Sequence, residues 1–231
     1  MQQKIKKRLY GDNIGFVELV DAVGDDLTVV NSARVSFGQC RGVLDKRDKK
    51  LIKYLIKHKH TSTLEHCFVT FRVKVPLFVR SQHHRHRTWS YNEISRRYTD
   101  FDIQFYEPEA FRTQHESNRQ ASNENDLIDP VLETWQLEVS DCVRMHHEQC
   151  LKFFNELIEV GVCREQARGV LPQNMYTEYY ASANLNNILK FIDLRTHEGA
   201  QWEIQEMAKA MLDIITKLYP VTVGAYREIK K

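Results

Sequence analysis

From Glu65 the chain reads EHCFVTFRVKV, with Cys67, Val69, Phe71, Val73 and Val75 at alternate positions. A period of two puts all five on one face and marks a strand with a single apolar side. Pro76 ends that run and can open a helix, PLFVRSQHHRHR, because the first helical position needs no N–H donor. GFVELVDAVG, stopped at Gly24, and NMYTEYYASANL also read as strands. Helices dominate the rest. DDLTVVNSARVSF starts with acids and carries Leu27, Val30 and Ala33; DKRDKKLIKYLIKHKH aligns Leu51, Ile52, Leu55 and Ile56, with lysines and His58 in its last turn. VCREQARGVLP, ended before Pro172, and NNILKFIDLR are shorter helices. A last helix runs from Gln201 through Ile204, Met207, Met211, Ile214 and Leu218 and ends at Pro220.

Asp129-Pro130 is a strong helix start, an N-cap followed by proline. Apolar residues then recur from Leu132 through Trp135 and Val143 to Val160, and Gly161 stops them. One helix over that span is roughly 45 Å long. That outreaches a domain of this size and implies packing against another subunit. Between Glu109 and Leu127 the chain is polar and reads as a surface loop or a partly mobile lid. Helices outweigh strands, and the strands lack regular β-α alternation. The expected fold is therefore one α+β domain over residues 1–231, a mixed sheet packed with helices that include one long central helix.

Charge concentrates in one place. The stretch RSQHHRHRTWSYNEISRRY (80–98) holds five arginines, three histidines and a single acid, Glu93, in a chain whose net charge is only +2. A protein that coats nucleic acid needs a broader basic excess. One anion-binding pocket does not. The N-terminus MQQKIKKRLYGDN lacks the apolar run of a secretory signal, and no window approaches the about 20 apolar residues that span a bilayer. Five cysteines without a C-x-x-C pair read as reduced thiols of a cytoplasmic protein.

The nine glycines never form G-x-G-x-x-G or a P-loop, so side chains must hold any phosphate. If 76–87 is helical, Gln82, Arg85 and His86 share a face; if SYNEISRRY is extended, Glu93, Ser95 and Arg97 point one way and Asn92, Ile94 and Arg96 the other. Arginine forks, a hydroxyl and an amide converging from two elements grip a phosphate well, and Glu93 is placed to orient a ribose hydroxyl or a base edge. His83, His84 and His86 make a poor metal site beside so many arginines. Cys67 shares the apolar strand face and reads as a buried thiol rather than a nucleophile; Ser95 reads as a hydrogen-bonding group. Arg168 and Arg195, amid apolar neighbours, are either paired with a buried acid or aimed into a pocket. A bottom-up alternative is a nucleic-acid binder in which Trp89, Tyr91 and Tyr98 stack bases; a bland one is a solvated charged face.

RHRTWSYNEISRRY resembles the R-H-R, seven residues, Ser pattern of flavin-dependent thymidylate synthases, with Arg85, His86, Arg87 and Ser95 in register. GFVELVD, ARVSF, YLIKHKHTSTLEH, EVGVCREQARGVLP and FIDLRTHEGAQWEIQ are similar to the same family in order and spacing. The resemblance implies an α+β homotetramer with interfacial active sites that methylates dUMP to dTMP, using methylenetetrahydrofolate, NADPH and bound FAD, with no cysteine nucleophile, metal, nucleic acid or membrane. It implies FAD contacts from Ser36, His60, Ser62, Arg85, His86, Arg87, Glu93, Asn184, Asn186 and Lys190. It implies dUMP contacts from Gln82, Arg85, Glu93, Ile94, Ser95, Arg96, Arg97 and Arg168, with Arg195 against the uracil edge favouring the N3-ionised base. Asn186 stands where some members have Arg, Lys190 where they have Asn, Gly199 where many have His, and Arg96 where some have Gly. A third possibility is a flavin-binding member that has lost methyl transfer.

Overall fold

The computed structural model describes residues 5–230; the first four residues of the basic N-terminus, and Lys231, lie outside the described residues. The chain runs β1 (Lys6–Arg8), β2 (Phe16–Val23), α1 (Asp26–Arg34), α2 (Lys46–Lys57), β3 (Phe68–Pro76), α3 (Leu77–His83) and β4 (Ser90–Glu93). Two hairpins follow, β5 (Phe111–Gln114) with β6 (Ser122–Ile128) and β7 (Val131–Leu132) with β8 (Leu137–Glu138). Then come α4 (Val139–Glu159), α5 (Arg164–Ala167), β9 (Tyr176–Asn184), α6 (Leu185–Arg195), α7 (Trp202–Leu218) and α8 (Pro220–Lys230). The α+β class is as expected. No described helix is long and apolar enough to cross a membrane.

The main sheet has five strands in the order β1-β2-β3-β9-β4. Every pairing in it is antiparallel, which corrects the expected mixed sheet. The reason is topological. β3, α3 and β4 form a strand–helix–strand unit whose strands run the same way, but β9 enters between them and pairs antiparallel with both. Alternation in β3 works as the sequence promised: Cys67, Val69, Phe71, Val73 and Val75 are wholly buried, while Arg72 and Lys74 face outward. α6 and α7 cover the apolar face with Ile188, Phe191, Ile204, Met207 and Met211. Gly24 ends β2 at φ +84°, and a Cβ there would meet the Cys67 sulfur at 2.9 Å, so the turn needs glycine. Burial, with Asp25 and Asp26 nearby, pushes the Cys67 thiol up to about 12, consistent with an inert core sulfur.

Three sequence expectations are corrected. The helix expected from Asp129 to Val160 begins only at Val139 and has 21 residues, about 32 Å; the β7–β8 hairpin, turning through Gln136 at φ +52°, takes up the preceding residues. Asp129 still caps it, but from a distance: its carboxylate accepts from the Ser140 amide at 2.9 Å and the Ser140 hydroxyl at 2.6 Å. The polar 109–127 segment is not a loop but largely the β5–β6 hairpin, closed by side-chain bonds such as Arg112 to Ser122 at 3.0 Å. It is fastened to α7 by Arg112, which donates to Glu203 at 2.7 Å with its guanidinium over the Trp202 ring. Finally, Pro220 ends α7 and also opens α8, which periodicity had not revealed.

α8 is capped remotely too. Asp26, in the first turn of α1 and almost wholly buried, accepts from the amides of Val221 and Thr222 at 2.8 Å and from the Thr222 hydroxyl at 2.6 Å. A carboxylate at a helix N-terminus satisfies orphan donors and opposes the dipole. Asp26→Ala leaves those donors bare and should cost about 2–3 kcal/mol, read as a lower urea midpoint at unchanged slope. A variant as stable as the parent would show that apolar packing alone holds α8.

Candidate active site

α3 ends at His83, and the chain continues through tight turns in which the Arg85 amide donates to the Gln82 carbonyl and the His86 amide to the His83 carbonyl. Arg85 and His86 thus lie just past the helix expected to carry them. The Tyr91 hydroxyl holds this turn from β4, lying 2.9 Å from the His83 carbonyl and 3.1 Å from that of His86. Beneath it His83 is fully buried, its Nδ1 2.9 Å from the Tyr179 hydroxyl, and burial keeps it well below the usual imidazole range.

Arg195, the last residue of α6, reaches this turn. Its Nε donates to His86 Nε2 at 3.3 Å, and its terminal nitrogens donate to the Gln82 side-chain oxygen at 3.5 Å and backbone carbonyl at 3.2 Å. Among the described residues Arg195 makes no ion pair. The choice left open by the sequence is settled against a buried acid: every partner is neutral. Burial lowers the Arg195 pKa without emptying its charge. His86 must present a lone pair at Nε2 to receive that bond, so its proton sits on Nδ1. Burial first and Arg195 second hold His86 at about 4, hence uncharged at neutral pH. The third amide contact is Gln82 Nε2 to the Gln201 side-chain oxygen at 2.5 Å.

At the end of β4, Glu93 accepts from Arg80 Nε at 3.0 Å and from the Thr177 hydroxyl at 2.6 Å, both through one oxygen. Its other oxygen has no protein donor among the described residues. The extended geometry stops there. Tyr98 and Thr99 amides return to the Ser95 carbonyl, so the expected Glu93, Ser95, Arg97 alternation gives way to a turn in which Ser95 Oγ accepts from the Arg97 amide at 3.3 Å. The arginines divide sharply. Arg80 serves Glu93; Arg96 is buried and donates to the carbonyls of Phe101 and Asp102 at 2.6 and 3.3 Å; Arg97 reaches Glu165 at 3.3 Å in the open. Arg85, Arg87 and Arg168 are exposed and unpaired among the described residues. Arg96 therefore offers its backbone rather than its guanidinium.

Three expected cofactor residues meet in one cavity of about 330 Å³: His60, Asn186 and Lys190 line it with Lys57, Lys59 and the apolar Leu64 and Leu189. Asn186 is mostly buried and donates to Glu65 at 2.8 Å, and Asn184 uses its side-chain oxygen to cap α6 at the Asn187 amide. Ser36 and Ser62 lie in single 3₁₀ turns, Val35–Phe37 and Thr61–Leu64. Ile94 and Arg96 line a separate cavity of about 420 Å³ with Thr177 and Tyr180. Neither of these two cavities brings all the expected residues together. Sequence reasoning gave no role to Thr177, Tyr179 or Gln201, although Gln201 lies in the FIDLRTHEGAQWEIQ stretch. The nucleic-acid alternative loses two of its three stacking residues: Trp89 is buried and Tyr91 packs on His84 at 4.1 Å, while Tyr98 is exposed.

The family model described as thymidylate synthase complementing protein matches residues 18–221. The chain belongs to the flavin-dependent thymidylate synthase family. Among its relatives, the flavin-dependent thymidylate synthase of Thermus thermophilus is 44% identical over 93% of this chain and 76% of its own. That of Thermosipho africanus is 40% identical over 92% and 90%. A solved structure of a UMP/dUMP methylase, PolB from Streptomyces cacaoi bound with 5-Br dUMP, superposes with a TM-score of 0.81 at 32% identity, covering 96% of this chain and 97% of that one. Of the R-H-R stretch, His86 is the residue that meets Arg195, at 3.3 Å.

The depressed His86 and His83 give this family member a pH signature. An unfolded imidazole titrates near 6.5, and His86 in the fold near 4. Between those values the unfolded chain binds more protons, so this contribution to stability is complete above about 6.5 and declines as pH falls toward 4. Denaturant melts of the ligand-free protein across that window should lose stability with acid. His86→Asn should flatten the slope; an unchanged slope would assign it to other groups.

Proposed function

We propose that the chain, acting as one catalytic domain, reductively methylates dUMP to dTMP. The carbon comes from methylenetetrahydrofolate and the reducing equivalents from NADPH by way of FAD, in a cytoplasmic homotetramer with active sites between subunits. The observation that carries the reading is the state of Arg195, a partly buried cation held only by neutral acceptors beside an uncharged imidazole. A guanidinium kept in that state is available to an anion formed in the reaction. Laid against the uracil edge, it favours the N3-ionised base, which is the activated form for carbon transfer at the ring.

The other residues take complementary parts in this reading. Arg85, Arg97 and Arg168 grip the phosphate with Gln82, Ser95 and the backbone of Arg96, while Ile94 flanks the nucleotide. Glu93 uses its spare oxygen on a ribose hydroxyl. The donor set also suits FAD: lysines 57, 59 and 190 with His60 and Asn186 surround an apolar floor, the combination an aromatic anionic cofactor requires. Ser36, Ser62, Arg85, His86, Arg87, Glu93 and Asn184 would complete its contacts. When bound, FAD supplies the hydride that turns a transferred methylene into a methyl group. Assembly is supported by exposed apolar surface: Trp135 and Val131 on the β7–β8 hairpin, and Phe153 and Val160 along α4.

The test is the visible spectrum of the purified protein, its titration with dUMP, and dTMP formation with methylenetetrahydrofolate and NADPH. Flavin bands that shift on adding dUMP, followed by turnover, are expected. Arg195→Ala should keep FAD and lower dTMP formation by about 100-fold or more, the scale for losing an electrostatic stabiliser. Undiminished turnover in that variant would remove Arg195 from the chemistry.

A further inference from the structure

We propose that Gln201 is a positioning residue for Arg195, acting through the side-chain amide of Gln82; the inference rests on the role of Arg195 given above. Arg195 has only donors, so the Gln82 atom that meets its terminal nitrogen at 3.5 Å must be the carbonyl oxygen. The Gln82 amide nitrogen then has to face the other way, where the Gln201 side-chain oxygen accepts from it at 2.5 Å. Without that acceptor the amide is free to rotate by half a turn and set its NH₂ against the guanidinium, donor against donor. Gln201 therefore decides which end of Gln82 Arg195 meets, and through it how the guanidinium is aimed.

The backbone of Gln201 is fixed independently of its side chain. Its carbonyl accepts from the Ile204 and Gln205 amides at 3.1 Å as α7 begins, and its side chain makes no capping bond. The next turn is pinned by Glu203, nearly fully buried, which accepts from Arg112 at 2.7 Å and from the Tyr106 hydroxyl at 3.2 Å. A substitution at 201 thus removes the orienting acceptor and leaves the helix start in place. The Gln201 amide nitrogen has no acceptor among the described residues, so donation to a ligand is the rival role. Gln201→Glu separates the two, since it keeps the acceptor and loses the donor.

The experiment compares the FAD-loaded parent with Gln201→Leu and Gln201→Glu for kcat, KM for dUMP, dUMP affinity by calorimetry, flavin content and Tm. Gln201→Leu should lower kcat about 10-fold, the scale of one misdirected hydrogen bond to a charged group, with flavin content and Tm unchanged. Gln201→Glu should return to within about 3-fold of the parent, since the acceptor is what matters. Parental kinetics in Gln201→Leu would overturn the proposal. So would equal impairment in both variants, which leaves the acceptor without a part of its own, or an early melt with loss of flavin, which assigns a structural role. A parent that forms no dTMP removes the functional reading and this inference with it; a parent that turns over beside an unaffected Gln201→Leu removes this inference alone.

Discussion

The antiparallel ladder between β3 and β9 determines where chemistry can sit in this chain. Its register sets Phe68 opposite Asn184 and Pro76 opposite Tyr176. α3 springs from the Pro76 end and α6 from the Asn184 end, and their C-terminal residues meet through Arg195, Gln82 and His86. Phe191 seals the meeting point, its ring 4.7 Å from His83, 4.9 Å from His86 and 5.7 Å from Trp89. A slip of one residue would turn Val69, Phe71 and Val73 to solvent and carry α6 to the wrong face. The same alternation that makes the core also aims Arg195.

That arginine is stabilised without being neutralised. It lies at the C-terminus of α6 and donates to the carbonyl of Gln82 in the last turn of α3. Helix C-termini carry partial negative charge, so two helix ends support the cation where a carboxylate would have quenched it. A carboxylate partner would have offset desolvation better and left nothing for an incoming anion. The contrast with Arg80 and Arg96 is instructive. Arg80 supports Glu93 and Arg96 ties down the 101–102 backbone, so two of the five arginines in the basic stretch are structural. The density of charge in the sequence did not show which arginines are engaged within the chain and which are left exposed.

Much of the fold was legible because it rests on local rules. The β3 alternation, the α2 stripe with its basic last turn, and the stop at Gly161 are each written within a few residues. What was not legible depends on partners remote in sequence. Asp129 caps α4 across a hairpin, and Asp26 caps α8 from 195 residues away. No window-based reading of helix signals finds such a cap. The β5–β6 hairpin escaped because its strands are polar on both sides and are held by hydrogen bonds and by Arg112 on Glu203, not by an apolar face. In the site the same division holds: Arg85, His86 and Arg195 announce themselves by type, whereas Gln201 matters only through the amide it faces.

The apolar stripe from Leu132 to Val160 read as one helix because a hairpin and a helix both carry it. α4 covers only Ser140, His147 and Phe154, at intervals of seven residues, which is a single seam along a 21-residue helix. Phe153 and Val160 lie off that seam and open to solvent. Val143, Leu151, Leu157 and Ile158 beside the seam are partly buried, so the apolar surface left open on this helix is limited to residues such as Phe153. Arg85, Arg87 and Arg168 are exposed and unpaired among the described residues of the same protomer. In the proposed reading these three guanidinia are left for an anion and the exposed Phe153 and Val160 for a second copy of the chain.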